Sequence, residues 1–91
     1  MILKIFTQPN CPRCPAAKRL AKEIEKIDQL KVEYWQVTTA DGLAEASFYG
    51  ILSTPGVVLC DDEGGKLKSW QGEAPTKGRV LLELKKRGIR T

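Results

Sequence analysis

The sequence predicts an α/β fold in the order β-α-β-α-β-β-α, a mixed four-stranded sheet flanked by helices. Three observations carry that prediction. Short apolar runs alternate with segments of helical period along the chain. The first strand–helix–strand unit calls for a parallel pair with a right-handed crossover. The turn Asp61-Asp62-Glu63-Gly64-Gly65 joins the last two apolar runs so tightly that they must be antiparallel.

Each element has a local reason. Ile2-Leu3-Lys4-Ile5-Phe6 is short, mostly apolar and closed by Pro9-Asn10, as expected of a buried strand. From Pro12 the period changes: Ala17, Leu20, Ala21, Ile24 and Ile27 recur at three- and four-residue steps, opposite Lys18, Arg19, Lys22, Glu23 and Lys26. This predicts an amphipathic helix of about four turns. Val32 to Val37, rich in β-branched and aromatic residues, is a second strand. Thr39 can cap a shorter helix through Leu43, Ala46, Phe48 and Tyr49, stopped by Gly50. Gly56-Val57-Val58-Leu59-Cys60 is a third strand, and Lys66 to Trp70 a fourth, at an edge that its lysines blunt. Thr76 can cap a last helix carrying Val80, Leu81 and Leu84, with Lys85, Lys86 and Arg87 at its negative end and Gly88 as its stop.

Composition narrows the function. The 91 residues suffice for one domain, residues 1–91, with a small core. Hydrophobic residues at 42% and charged residues at 29% exclude disorder, and no apolar run approaches the roughly 18 residues of a membrane helix. Histidine is absent, which removes histidine bases, triads and metal ligands together. Three cysteines are too few for a secreted disulfide scaffold, and the N-terminal apolar stretch is too short for a signal peptide. A cytoplasmic location is therefore expected. The net charge of +4 is not interleaved with aromatic residues as a nucleic-acid surface would be, so neither nucleic acid nor membrane is expected as a partner.

Cys11-Pro12-Arg13-Cys14 sits where the first strand hands over to the first helix. With Cys11 at the N-cap, its sulfur would face unpaired backbone N–H groups and the positive end of the helix dipole, both of which favour thiolate. In such motifs the cysteine pKa falls from about 8.5 to roughly 3.5–7.5. Cys14, three residues on, lies on the same side of the helix, so the two sulfurs can open and close a disulfide with little backbone movement. Pro12 suits the first helical position, and Arg13 and Lys18 add a minor positive field. The alternative use of a C-x-x-C pair is half of a zinc site, but only Cys60 remains as a further soft ligand. Cys60 itself, amid Val57, Val58 and Leu59, is expected to be a buried core residue, and Trp35 and Trp70 to be packing residues, Trp70 bordering the groove beside Gly72. Lys4 between apolar neighbours has no account beyond snorkelling to solvent.

Phe6-Thr7-Gln8-Pro9-Asn10-Cys11-Pro12-Arg13-Cys14 resembles the active-site turn of glutaredoxins and of the small glutaredoxin-like thioredoxins, and Tyr49-Gly50-Ile51-Leu52-Ser53-Thr54-Pro55 resembles the segment that ends in the thioredoxin cis-proline loop. Gly72 resembles the glycine of the thioredoxin substrate groove. The resemblance covers nearly the whole chain and implies a thioredoxin-like fold. It implies Cys11 as nucleophile, Cys14 as resolving thiol, Pro55 as a cis-proline packed against them, and the Thr54 backbone as a docking edge for an extended segment. Pro12, Arg13, Thr54, Pro55 and Gly72 would then line the substrate-binding surface. The chain also departs from the families it resembles. Gln8 stands where glutaredoxins carry a lysine for the glutathione carboxylate, and Trp70 to Pro75 replaces their Gly-Gly-x-Asp loop. Asn10 and Ile5 stand where larger thioredoxins carry a tryptophan and a buried aspartate, so proton transfer to the resolving cysteine needs another route.

The function implied is a monomeric thiol–disulfide oxidoreductase that reduces protein disulfides without a cofactor, re-reduced by a reductase or a low-molecular-weight thiol. Three alternatives stay open: a glutathione-dependent glutaredoxin, a zinc or iron–sulfur module using the same cysteines, and a non-catalytic interaction protein.

Overall fold

The computed structural model describes residues 1–27 and 29–88. Its elements are β1 (Ile2–Thr7), α1 (Cys14–Ile24), β2 (Lys31–Gln36), α2 (Ala40–Phe48), β3 (Gly56–Cys60), β4 (Lys66–Gln71) and α3 (Lys77–Lys86). The expected order holds throughout. The four strands form one sheet in the order β2-β1-β3-β4. β1 pairs parallel with β2 from Ile2↔Lys31 to Thr7↔Gln36, and antiparallel with β3 from Ile2↔Cys60 to Phe6↔Gly56. β3 and β4 form the expected antiparallel hairpin, which leaves β4 at an edge.

Strand alternation divides the core between the two faces of the sheet. Leu3 and Ile5 of β1 and Val57 and Leu59 of β3 meet Ala17, Leu20, Ala21 and Ile24 of α1 and Val80 and Leu84 of α3. Phe6 of β1 and Val58 and Cys60 of β3 turn the other way, to Ala46 of α2, Tyr49 and Ile51. α1 and α3 thus cover one face and α2 the other.

Both predicted threonine caps are in place. The Thr39 side chain accepts from the Gly42 N–H at 2.9 Å, and that of Thr76 from the Arg79 N–H at 3.2 Å. Gly50, at φ 70°, follows the last turn of α2 in a left-handed conformation that glycine adopts without strain. The first helix is shorter than its periodicity suggests. It ends at Ile24, and the Ile27 N–H then donates to the Ile24 carbonyl at 2.9 Å, a three-residue step that tightens the chain out of the helix. Ile27 still packs on the core from that turn, which is why the apolar spacing runs past the helix end.

Lys4 does more than reach for solvent. It is only 8% exposed, and its ammonium donates to Glu45 Oε2 at 2.8 Å and lies 3.5 Å from Glu33 Oε1. It also stands 4.9 Å from the centre of the Tyr49 ring and 5.6 Å from that of Trp35. Burial alone would lower its pKa; the bond and charge of Glu45, with Tyr49, more than offset this and raise it. No helix among the described residues is long and apolar enough to cross a membrane.

Candidate active site

The C-terminal end of β1 opens the site. After Thr7 the chain turns through Gln8, Pro9 and Asn10, and Asn10 takes φ 63°, a left-handed conformation that asparagine tolerates better than most residues. Cys11 follows, and its disulfide to Cys14 spans a Cα–Cα distance of 5.4 Å.

Cys11 is not the N-cap of α1. That position belongs to Arg13, with Cys14 as the first helical residue and Pro15 beside it. The reason is in the sequence: a helix capped by Cys11 would need a hydrogen bond from the amide of residue 15 to the Cys11 carbonyl, and Pro15 has no N–H. Cys11 to Cys14 is instead a turn, with the Cys14 N–H 3.4 Å from the Cys11 carbonyl. Pro12 is accordingly an exposed turn residue rather than the first residue of the helix. The positive end of the helix still lies beside the dithiol. Cys14 is the first residue of α1, the disulfide holds the Cys11 sulfur against that same helix end, and no acidic residue in the first turn opposes the dipole.

The two sulfurs differ in access. Cys14 is 3% exposed, whereas Cys11 is half-buried and open at the surface. Ile5, which stands in the place of the buried aspartate, is fully buried in the apolar cluster under α1. Lys4 and Thr7 are the buried polar residues among those described, so no buried carboxylate lies beneath the disulfide.

The Thr54–Pro55 peptide bond is cis, as the resemblance implied, and Pro55 is buried. The Pro55 carbonyl accepts from the Gly72 N–H at 2.9 Å, and the Gly72 carbonyl accepts from Arg13 Nη1 at 3.3 Å. Arg13 is therefore more than a loose surface charge, since it ties the cysteine turn to the loop after β4. Gly72 sits at φ 79°, a left-handed conformation that favours glycine. Thr54 lines a hollow of about 180 Å³ together with Gln8, Val37, Leu43, Ile51 and Leu52. Trp70 borders a larger cavity of about 360 Å³ between the end of β4 and the start of α3, with Pro75, Thr76 and Arg79.

The structure thus joins Arg13, Pro55 and Gly72 by hydrogen bonds and places Thr54 and Gln8 in one hollow. It separates Cys60, which pairs with Ile2 at the far end of β1. Cys60 is fully buried and free; burial pushes its thiol pKa up, although Tyr49 and Lys4 pull against that. Among the described residues no three His, Cys, Asp or Glu side chains gather as a metal site. Three features of the site escape sequence reasoning. Leu43 reaches the hollow from α2 and Leu52 from the loop between α2 and β3. The side chain of Gln71 bonds to the backbone of Gly50 and Leu52, and no residue pattern marks a contact between β4 and that distant loop.

The comparisons with known proteins agree with this geometry. The family model described as thioredoxin domain matches residues 1–84. The chain is 37% identical over 87 residues to a thioredoxin of Methanocaldococcus jannaschii, covering 93% of each, and 34% identical over 61 residues to a probable thioredoxin of Archaeoglobus fulgidus, covering 67% of each. The fold matches the structure of thioredoxin 1 from Thermosipho africanus with a TM-score of 0.76 at 17% identity, over 96% of this chain and 93% of that one. It also matches a thioredoxin-like protein from Clostridium perfringens with a TM-score of 0.77 at 22% identity, over 98% of this chain and 71% of that one. With a disulfide between Cys11 and Cys14 at the head of α1, a family model matched over residues 1–84 and a thioredoxin relative aligned over 93% of its length, the chain belongs to the thioredoxin family of thiol–disulfide oxidoreductases.

Proposed function

We propose that the protein reduces protein disulfides, acting as a monomeric single domain in the cytoplasm with no cofactor beyond its own dithiol. The observation that carries this reading is the asymmetry of the pair: Cys11 is open to a target while Cys14 is buried behind it. The Cys11 thiolate, favoured by the adjacent helix end, attacks one sulfur of the target disulfide. A mixed disulfide forms and the other target sulfur leaves as thiolate, taking a proton from solvent. The Cys14 thiolate then attacks the Cys11 sulfur and the second target thiolate leaves. The target gains two electrons and two protons, and the protein is left with the Cys11–Cys14 disulfide, which is the state of the structure. A reductase or a low-molecular-weight thiol returns it to the dithiol.

Target binding uses Pro12, Arg13, Thr54, Pro55 and Gly72. An extended segment next to the target disulfide lies along the Thr54 backbone, as a strand added to an open edge, with Pro12 and Arg13 on one flank and Gly72 on the other. With no buried carboxylate among the described residues, the proton of Cys14 is exchanged with water.

Trapping tests this reading. The Cys14→Ser variant lacks the resolving thiol, so mixed disulfides with target proteins accumulate on Cys11 and are released by a reductant. Recovery of discrete proteins is the expected result. Recovery of glutathione adducts alone would replace this reading with a glutathione-dependent one.

A further inference from the structure

The segment that presents Thr54 is a loop between α2 and β3, and a single side chain holds it from the outside. Gln71, at the end of β4, accepts from the Leu52 N–H through Oε1 at 2.9 Å and donates from Nε2 to the Gly50 carbonyl at 3.0 Å. One amide thus satisfies a donor and an acceptor two residues apart, as a neighbouring strand would. The base of Gln71 is fixed by the sheet, because its own position pairs with Gly56. From the other side the loop is tied to α2, through the Ile51 N–H to the Ala46 carbonyl at 2.8 Å. Leu52, between these anchors, is 94% exposed, so packing does not fix the path of the backbone there. The next residue, Gly72, bonds to the Pro55 carbonyl, so Gln71 and Gly72 together grip the loop on both sides of Thr54.

We infer that Gln71 is a positioning residue for the target-docking edge: its amide sets the path of residues 50–54, and thereby the presentation of the Thr54 backbone, without touching the dithiol. The inference rests on the reading of Thr54 as the docking edge. Its physical content is pre-organisation. An edge held in its bound conformation does not have to be ordered when the target segment pairs with it, whereas a loosened edge does. The effect belongs to binding of an extended protein segment. A small disulfide that reaches Cys11 without pairing to Thr54 should not sense it.

The experiment compares wild type, Gln71→Ala and Gln71→Met, the last keeping the apolar stem and losing both bonds. Each is assayed on insulin and on bis(2-hydroxyethyl) disulfide, with dithiothreitol as reductant. Loss of one to two ordinary hydrogen bonds predicts a KM for insulin about threefold to tenfold higher in both variants, with kcat and turnover of the small disulfide within about twofold of wild type. An unchanged KM for insulin in either variant overturns the inference, as does an equal loss on both substrates, which would place Gln71 in the dithiol chemistry. A lower melting temperature with unchanged KM would show a purely structural role and overturns it too. Failure of wild type itself to reduce insulin would strike the proposed function instead, so the two failures are distinguishable.

Discussion

On the α1 and α3 side of the sheet the inward residues are apolar, from Leu3 and Ile5 through Leu59 to Val80 and Leu84. On the α2 side the same strands present Lys4 and Cys60 beside Phe6 and Val58, and the partners include Glu45, Glu33, Tyr49 and Trp35. The first face is held by packing, the second in part by directional bonds. The dithiol stands at the head of α1, whose buried stripe is anchored in the packed face, while the loop carrying Thr54 follows α2 on the bonded face. One half of the site is therefore fixed by shape, and the other by hydrogen bonds that depend on individual side chains. On the proposed function, the dithiol then borders the packed face while the docking edge is held by a few polar contacts.

Deletion on the packed face should cost most. Leu59→Ala removes a fully buried side chain and is expected to lose about 2–5 kcal/mol of unfolding free energy, measured by urea titration. Below its melting temperature the variant should still form the Cys11–Cys14 disulfide, because α1 keeps its own stripe.

Removal of charge on the bonded face comes next. Lys4→Met keeps the stem but leaves Glu45 and Glu33 without their shared ammonium, and is expected to cost about 1.5–3 kcal/mol. A stabilised Lys4→Met variant would show that Lys4 is a cost that packing tolerates rather than a brace. Its pH dependence sharpens the point. The folded state raises the Lys4 pKa above the ordinary 10.5, so it holds the proton more tightly than the unfolded chain does. The contribution is whole below pH 10.5 and is lost as pH climbs above it towards the folded value, so the difference in melting temperature between wild type and Lys4→Met should be constant through neutral pH and narrow in strong alkali.

The smallest effects should come from the caps. Thr76→Ala uncaps α3 and should cost about 1 kcal/mol, and Thr39→Ala uncaps α2 and also removes the bond its hydroxyl donates to the Gln36 carbonyl, so it should cost slightly more, up to about 2 kcal/mol. A much larger loss at Thr39 would mean that α2 depends on its cap because its own packing is weak.

The order of elements, both caps, the hairpin and the edge position of β4 were all legible in the sequence, because each follows from period, turn residues or a capping hydroxyl within a few positions. The cysteine turn was legible as chemistry but misplaced by two residues on the helix, and the missing N–H of Pro15 was the overlooked signal. The hydrogen bond from Arg13 to Gly72, the pairing of Lys4 with Glu45 and the grip of Gln71 were not legible. Each joins residues between 19 and 59 positions apart, and nothing local in a chain reports which distant carbonyl or carboxylate a long polar side chain will meet.

On the proposed function, disulfide exchange runs through the half-buried Cys11 before α1 and not through the buried Cys60 on β3. The direct measurement is the rate of insulin reduction, with dithiothreitol as reductant, for wild type, Cys11→Ser and Cys60→Ser. Cys11→Ser is expected to fall to the rate of dithiothreitol alone while Cys60→Ser matches wild type. Activity that survives in Cys11→Ser, or that disappears in a folded Cys60→Ser, would contradict it.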